Sequence, residues 1–176
     1  MTKITEEEIQ KILPVKGPSF KEVKKYLDKY NDEYIVIKCG GSVLVNQDLF
    51  QNFINDISIL NKLGFIPIII HGGGKRISNK LNEAGIESNF INGLRVTDNK
   101  SIKIVEEVLS IFNSEITKAL KINGCDSQGI TNQQNNIITV EQENKNLGYV
   151  GTPKEISQSA IEKIVKEKKV PVIAPL

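Results

Sequence analysis

Aromatic residues are scarce in this chain, at 6% of 176 residues with no tryptophan, and histidine occurs once. So few flat rings leave little material for base-stacking platforms, and a net charge of +2 spread over scattered lysines gives no basic face. Nucleic acid is therefore not an expected partner. Long apolar runs are missing as well, since none approaches the ~18 residues that a membrane helix needs. The opening stretch Thr2-Lys3-Ile4-Thr5-Glu6-Glu7-Glu8 is acidic where a secretory signal would be basic and then apolar. These absences lead to the expectation of a cytoplasmic protein with no membrane partner. Cysteine is limited to Cys39 and Cys125, which fit reduced thiols better than a disulfide framework. They have no metal-ligand spacing, and no metal site is assigned.

What the chain does contain, 39% hydrophobic and 25% charged residues, suffices for one globular domain with a core. Two short apolar runs stand out. Tyr34-Ile35-Val36-Ile37-Lys38-Cys39 ends in Gly40-Gly41, and Phe65-Ile66-Pro67-Ile68-Ile69-Ile70-His71 ends in Gly72-Gly73-Gly74. Their β-branched content predicts buried parallel strands. Between them, Asp48 to Leu63 places Leu49, Phe53, Ile57 and Leu60 on one helical side, with Gly64 as the residue that closes the helix. Strand, helix and strand in this order predict a right-handed βαβ unit with both glycine turns at one sheet edge. Backbone N–H groups at the start of a helix have no internal partner, and the helix dipole adds positive potential, so such turns suit an anion. Lys38 beside one of them points to phosphate chemistry.

Upstream, Thr5 with Glu8 has capping-box spacing for a helix to Leu13, ended by Pro14. Ser19 can cap a second helix to about Tyr30, whose narrow apolar face of Val23, Tyr26, Leu27 and Tyr30 suits either a flank of the domain or another subunit. Downstream, the spacing predicts a shorter helix from Lys75 to Ala84, an irregular hairpin over Ile86 to Asp98, and a long helix from Asp98 to about Ile122. A hairpin is then expected from Ser127–Thr131 and Ile137–Val140, turning at Asn135-Asn136 and continuing through Leu147–Gly151. A helix from Ser157 to Lys168 and a strand from Val170 to Leu176 complete the reading. Gly72-Gly73-Gly74-Lys75-Arg76 is not a P-loop, because Ile69 stands where the leading glycine belongs and Arg76 where Ser or Thr belongs. His71, without an acid or thiol partner in sequence, reads as a hydrogen-bonded structural residue.

The combination Ile37-Lys38-Cys39-Gly40-Gly41, His71-Gly72-Gly73-Gly74 and Asn92-Gly93-Leu94-Arg95-Val96-Thr97-Asp98 resembles the amino acid kinase superfamily, and within it the acetylglutamate kinases. Val105–Leu109, Leu147–Gly151 and Pro171–Pro175 extend the match. The resemblance implies an α/β fold, a three-layer αβα open sandwich with a mainly parallel central sheet. It divides the chain into a helical arm over residues 1–32 and an acetylglutamate- and phosphoryl-binding lobe over 33–176, with the ATP-binding lobe expected after residue 176. It further implies ATP, with Mg2+, as phosphoryl donor to the side-chain carboxylate of N-acetyl-L-glutamate, the second step of arginine biosynthesis. By resemblance Lys38 stabilises the transition state, Gly40 and Gly41 bind the phosphoryl group, and Gly72, Gly73 and Arg95 bind acetylglutamate. Taken without the family, Lys38 is a solvated strand tip and Arg95 a surface ion-pair residue. Ser42-Val43-Leu44 and Thr131 to Asn136 depart from the family pattern at a turn wall and a hairpin tip. The arm resembles the extension of arginine-inhibited hexameric relatives, which implies a homo-oligomer, a dimer or a hexamer, and arginine as feedback inhibitor. By analogy the helix Asp98 to Ile122 is a candidate dimer face. Carbamate, aspartate and uridylate kinases are alternatives, as is a non-catalytic lobe that binds an acidic metabolite or a partner chain.

Overall fold

The structure, a computed structural model, describes residues 5–13, 15–41, 43, 46–131 and 137–176. The expectations for Pro14, for Ser42 and Leu44, and for the turn at Asn135-Asn136 fall outside the described residues. Two capped helices come first. Thr5 and Ser19 each accept from the backbone three residues on, while Glu8 and Glu22 reach back to the cap N–H, so α1 (Glu6–Ile12) and α2 (Phe20–Lys29) both begin in capping boxes. Helix α1 buries Ile9, whereas α2 has no buried residue and leaves Tyr26 and Tyr30 exposed.

The central sheet is built from β1 (Tyr34–Cys39), β2 (Ile66–His71), β5 (Ser127–Ile130) and β8 (Val170–Ile173), in the order β1-β2-β8-β5 with every pair parallel. Helix α3 (Gln47–Lys62) returns the chain from β1 to β2, and Gly64 at φ +96° turns it into the strand, a conformation that glycine adopts without Cβ strain. One sheet face packs against α3 and α5 (Asn99–Ile122) through Ile54, Ile57, Ile69, Phe112, Ile116, Leu120 and Val172. The other face packs against α6 (Gln158–Lys166) through Ile68, Ile130, Ile164 and Ile173. These are the expected three layers. Pro67 and Pro171 each stand second in their strand, before the segment Ile69–Ile70 that β2 shares with β8, so the missing N–H groups interrupt no bond of that ladder. No described helix is long and apolar enough to cross a membrane.

Helix α4 (Gly74–Glu83) follows β2 directly and packs on α5 through Ile77, Leu81, Val108 and Leu109. Strands β3 (Phe90–Ile91) and β4 (Leu94–Arg95) form an antiparallel hairpin across Asn92 and Gly93, both at positive φ (50° and 82°), as a two-residue hairpin turn requires. Asp98 caps α5 by accepting from the Lys100 and Ser101 N–H groups.

One expectation is overturned here. Ser127–Ile130 does not pair with Ile137–Val140: β5 joins β8 in the parallel sheet, and β6 (Ile138–Gln142) pairs with β7 (Gly151–Ile156) in a separate ribbon. The physical reason is burial. Both ends of β5, Ser127 and Ile130, are buried in the core, whereas all six residues of β7 are exposed and can pair only with another solvent-facing strand. The stretch Lys145–Leu147 is a 3-10 turn, and the strand begins at Gly151, four residues later than the sequence reading placed it.

Candidate functional site

Both glycine turns do lie at one edge. The β1–β2 register sets Lys38 beside Ile70 and Cys39 beside His71, so the two strands end level. The turns also touch. A Cβ on Gly41 would lie 3.4 Å from the Gly74 N and 3.6 Å from the Gly73 carbonyl carbon, and the Gly72 N–H donates to Cys39 O at 3.1 Å. Gly73 is fixed by packing, since a Cβ there would stand 2.8 Å from Leu109 Cδ2. Gly72 has nothing of this chain within 4 Å of its would-be Cβ, so packing within the chain does not demand its glycine.

The start of α4 is the receptive element. Its N-cap is Gly73, no side chain caps it, and its first turn has no acidic residue. Peptide dipoles and uncapped N–H groups therefore present positive potential where β2 ends. Arg95 is brought to the same place, with Nη2 donating to Ser78 Oγ at 2.8 Å and to Gly74 O at 3.3 Å, and Nη1 donating to Ser88 Oγ at 2.6 Å. Desolvation by partial burial pulls the Arg95 pKa below its ordinary value. The group stays a cation all the same, because guanidinium holds its proton throughout the accessible range. Lys38, in contrast, is exposed at the end of β1, and so is Gly40. Lys38, Gly40, Gly41, Gly72, Gly73 and Arg95 thus gather at the carboxyl end of the sheet, Arg95 from a hairpin and the rest from the strand ends.

Beneath this edge lies a polar cluster that sequence reasoning missed in part. His71 is 1% exposed and stacks edge-on against Phe112. Its Nε2 faces Asn113 Nδ2 at 3.1 Å, and the same amide donates to Val172 O at 2.8 Å. Burial lowers the His71 pKa, so the neutral ring accepts at Nε2 and offers the Nδ1 proton to Gly72 O, 3.4 Å away. Asn113 so links β2 to β8, and its side chain lies where a Cβ on Gly129 of β5 would overlap it. The signal was in the sequence: an asparagine stands among Leu109, Phe112, Ile116 and Leu120 on the buried stripe of α5. Cys39 and Cys125 are both free and buried, with burial pushing each thiol up to about 11, which fits the expected inert thiols.

Parallel strands that end together over glycine turns, with the Arg95 guanidinium bonded at an uncapped helix start, define an α/β protein with an anion-receptive sheet edge. The comparisons make this specific. The model of the amino acid kinase family matches residues 33–176, and the chain belongs to that family. It is 60% identical over its whole length to an acetylglutamate kinase of Pelagibacter ubique (strain HTCC1062), of which it covers 61%. Over 86% of its length it is 37% identical to an acetylglutamate kinase of Ruegeria sp. (strain TM1040), covering 53% of that protein. The chain therefore spans a little over half the length of these relatives. Among solved structures, smu.665 from Streptococcus mutans UA159 is 27% identical with a TM-score of 0.69, the match covering 80% of this chain and 58% of that one. N-acetylglutamate synthase from Neisseria gonorrhoeae, solved with coenzyme A and N-acetyl-glutamate, is 20% identical with a TM-score of 0.75. That match covers 89% of this chain and 37% of that one, and it is a likeness of fold alone.

Proposed function

We propose that the chain is the substrate lobe of an acetylglutamate kinase, which transfers the γ-phosphoryl group of ATP to the side-chain carboxylate of N-acetyl-L-glutamate. The observation that carries this reading is the close approach of Gly41 to Gly73 and Gly74, with Arg95 bonded at Gly74 O. A phosphoryl group held at Gly40 and Gly41 and a carboxylate substrate held at Gly72, Gly73 and Arg95 are then neighbours, as in-line transfer requires. A carboxylate oxygen attacks the γ-phosphorus while the bond to the β,γ-bridging oxygen breaks, and ADP leaves with that electron pair. Negative charge accumulates on the equatorial oxygens, so catalysis rests on positioning and charge stabilisation. Lys38 supplies its ammonium to those oxygens, and the uncapped α4 amides face the incoming anion. Mg2+ travels with the nucleotide phosphates.

The glycine turns and Lys38 suit the phosphoryl end of ATP. The residues that hold the nucleoside belong, on this reading, to the part of the relatives that this chain does not span. The arm of residues 1–32, the lobe of 33–176, oligomer formation and arginine inhibition are proposed on the same footing. Calorimetric titration tests the core of the reading: residues 1–176 should bind N-acetyl-L-glutamate but catalyse no ATP-dependent phosphorylation of it. Turnover by this chain alone would disprove the division of labour, and absence of binding would disprove the substrate. A second reading that the same anion-receptive edge would serve is a non-catalytic lobe for an acidic metabolite. It would be supported if a chain of the relatives' full length bound N-acetyl-L-glutamate and still showed no kinase activity.

A further inference from the structure

The guanidinium of Arg95 is already engaged before any ligand arrives. Ser88, just ahead of β3, takes one proton of Nη1, while Ser78, one turn into α4, takes one of Nη2. The remaining bond, from Nη2 to Gly74 O, is the longest of the set at 3.3 Å, against 2.6 and 2.8 Å for the serines. The Phe90 ring covers the guanidinium with its centroid 4.7 Å from Cζ. Arg95 therefore ties the β3–β4 hairpin to the first turn of α4, and its pose is set by two hydroxyls and one ring.

The donor arithmetic of the group gives these bonds a consequence. A guanidinium takes a carboxylate bidentately through Nη1 with Nη2, or through Nε with Nη2. Both edges include Nη2, whose protons go to Ser78 and Gly74 in this pose. A bidentate carboxylate must then replace one bond, and the long Gly74 contact is the weaker of the two. The serine bonds can persist while that exchange takes place. An arginine held in this way gives up little rotamer freedom when it takes its ligand, whereas a free one gives up much.

We propose that Ser78 and Ser88 are positioning residues: they hold Arg95 in one pose beside the uncapped start of α4, and a substrate carboxylate replaces Gly74 O on Nη2. Only the identity of that substrate rests on the acetylglutamate reading.

The test uses the isotopically labelled chain and its Ser78→Ala, Ser88→Ala and doubly substituted variants. Nitrogen-detected NMR of the Arg95 guanidinium should give separate Nη signals in the wild type, from restrained rotation, and a merged signal in the double variant. Titration with N-acetyl-L-glutamate should show roughly tenfold weaker binding for Ser78→Ala, the scale of one lost bond to a charged group. Ser78→Thr, which keeps the hydroxyl, should restore it. Amide spectra unchanged outside β3, β4 and α4 show that the fold is retained. Unchanged guanidinium rotation in the double variant overturns the proposal, as does affinity that stays level or rises in Ser78→Ala. Serine-dependent restraint in a wild-type chain that binds no N-acetyl-L-glutamate supports the positioning role and overturns the acetylglutamate reading alone.

Discussion

Lys38 and Arg95 are both cations at one sheet edge, yet their surroundings differ, and so should the effects of removing them. Lys38 is exposed and free to follow charge as it develops, whereas Arg95 is partly buried and anchored by serines. In a chain of the relatives' full length, Lys38→Ala should lower kcat by about 10²–10³ with KM little changed, the range seen when one transition-state donor is lost. Arg95→Ala should mainly raise KM. Steady-state kinetics of the two variants checks this, and the opposite pattern would exchange their roles. His71 gives a prediction for the isolated chain. The unfolded chain takes up this proton near pH 6.5, but burial holds the folded-state value lower. Stability is therefore full above about 6.5 and declines as pH falls from there toward the folded value. Urea unfolding between pH 7 and 5 should show this loss in the wild type and much less of it in His71→Gln. The carboxylates with lowered pKa, such as Asp98, titrate below their usual 3.8 to 4.5 and act outside this window. At this scale the meeting of the two glycine turns at one sheet edge was legible from the apolar runs that end in them, whereas Arg95 was singled out by the family resemblance. The partners Ser78, Ser88 and Asn113 were not, because they meet their targets across 17, 7 and 42 residues of chain.

Among elements, the β3–β4 hairpin buries little of its own surface. Phe90, Ile91 and Leu94 are exposed, so the hairpin is held by its turn and by Arg95. Gly93 at φ +82° is the point where a side chain would strain it most. Gly93→Val should destabilise the chain by about 1–2 kcal/mol by that backbone term. It should also weaken N-acetyl-L-glutamate binding, measured by calorimetry, because Arg95 is carried on the same turn. Helices were legible from caps and apolar spacing: Thr5 and Ser19 both cap where their spacing predicts. Strand partners were less so. A short apolar run can enter a parallel sheet or a ribbon with equal local preference, and only the place of β8 between β2 and β5 decides for Ser127–Ile130.

At the scale of the whole molecule, one face of the edge strand β1 stays uncovered. Tyr34 is 51% and Val36 63% exposed, and Lys38 continues the same alternating row. Helix α2 leaves Tyr26 at 59% exposure. The arm is the element that the proposed assembly would use. Deleting residues 1–32 from a chain of the relatives' full length should abolish arginine inhibition and reduce the assembly to a smaller oligomer. Light scattering with kinetic assay at rising arginine concentration would check both, and inhibition that persists would remove the arm from regulation.

The strand order has a further consequence for how the chain reaches this state. Strand β8 pairs with β2 on one side and β5 on the other, about a hundred residues after the first and forty after the second. Until residues 170–173 are available, β2 and β5 each carry an unpaired edge, and the Ile69 and Ile130 rows have nothing to close them. Such long loop closures slow folding and leave strand edges open to other chains. A chain emerging from a ribosome would thus hold its glycine turns beside open strand edges until β8 arrived to join β2 and β5.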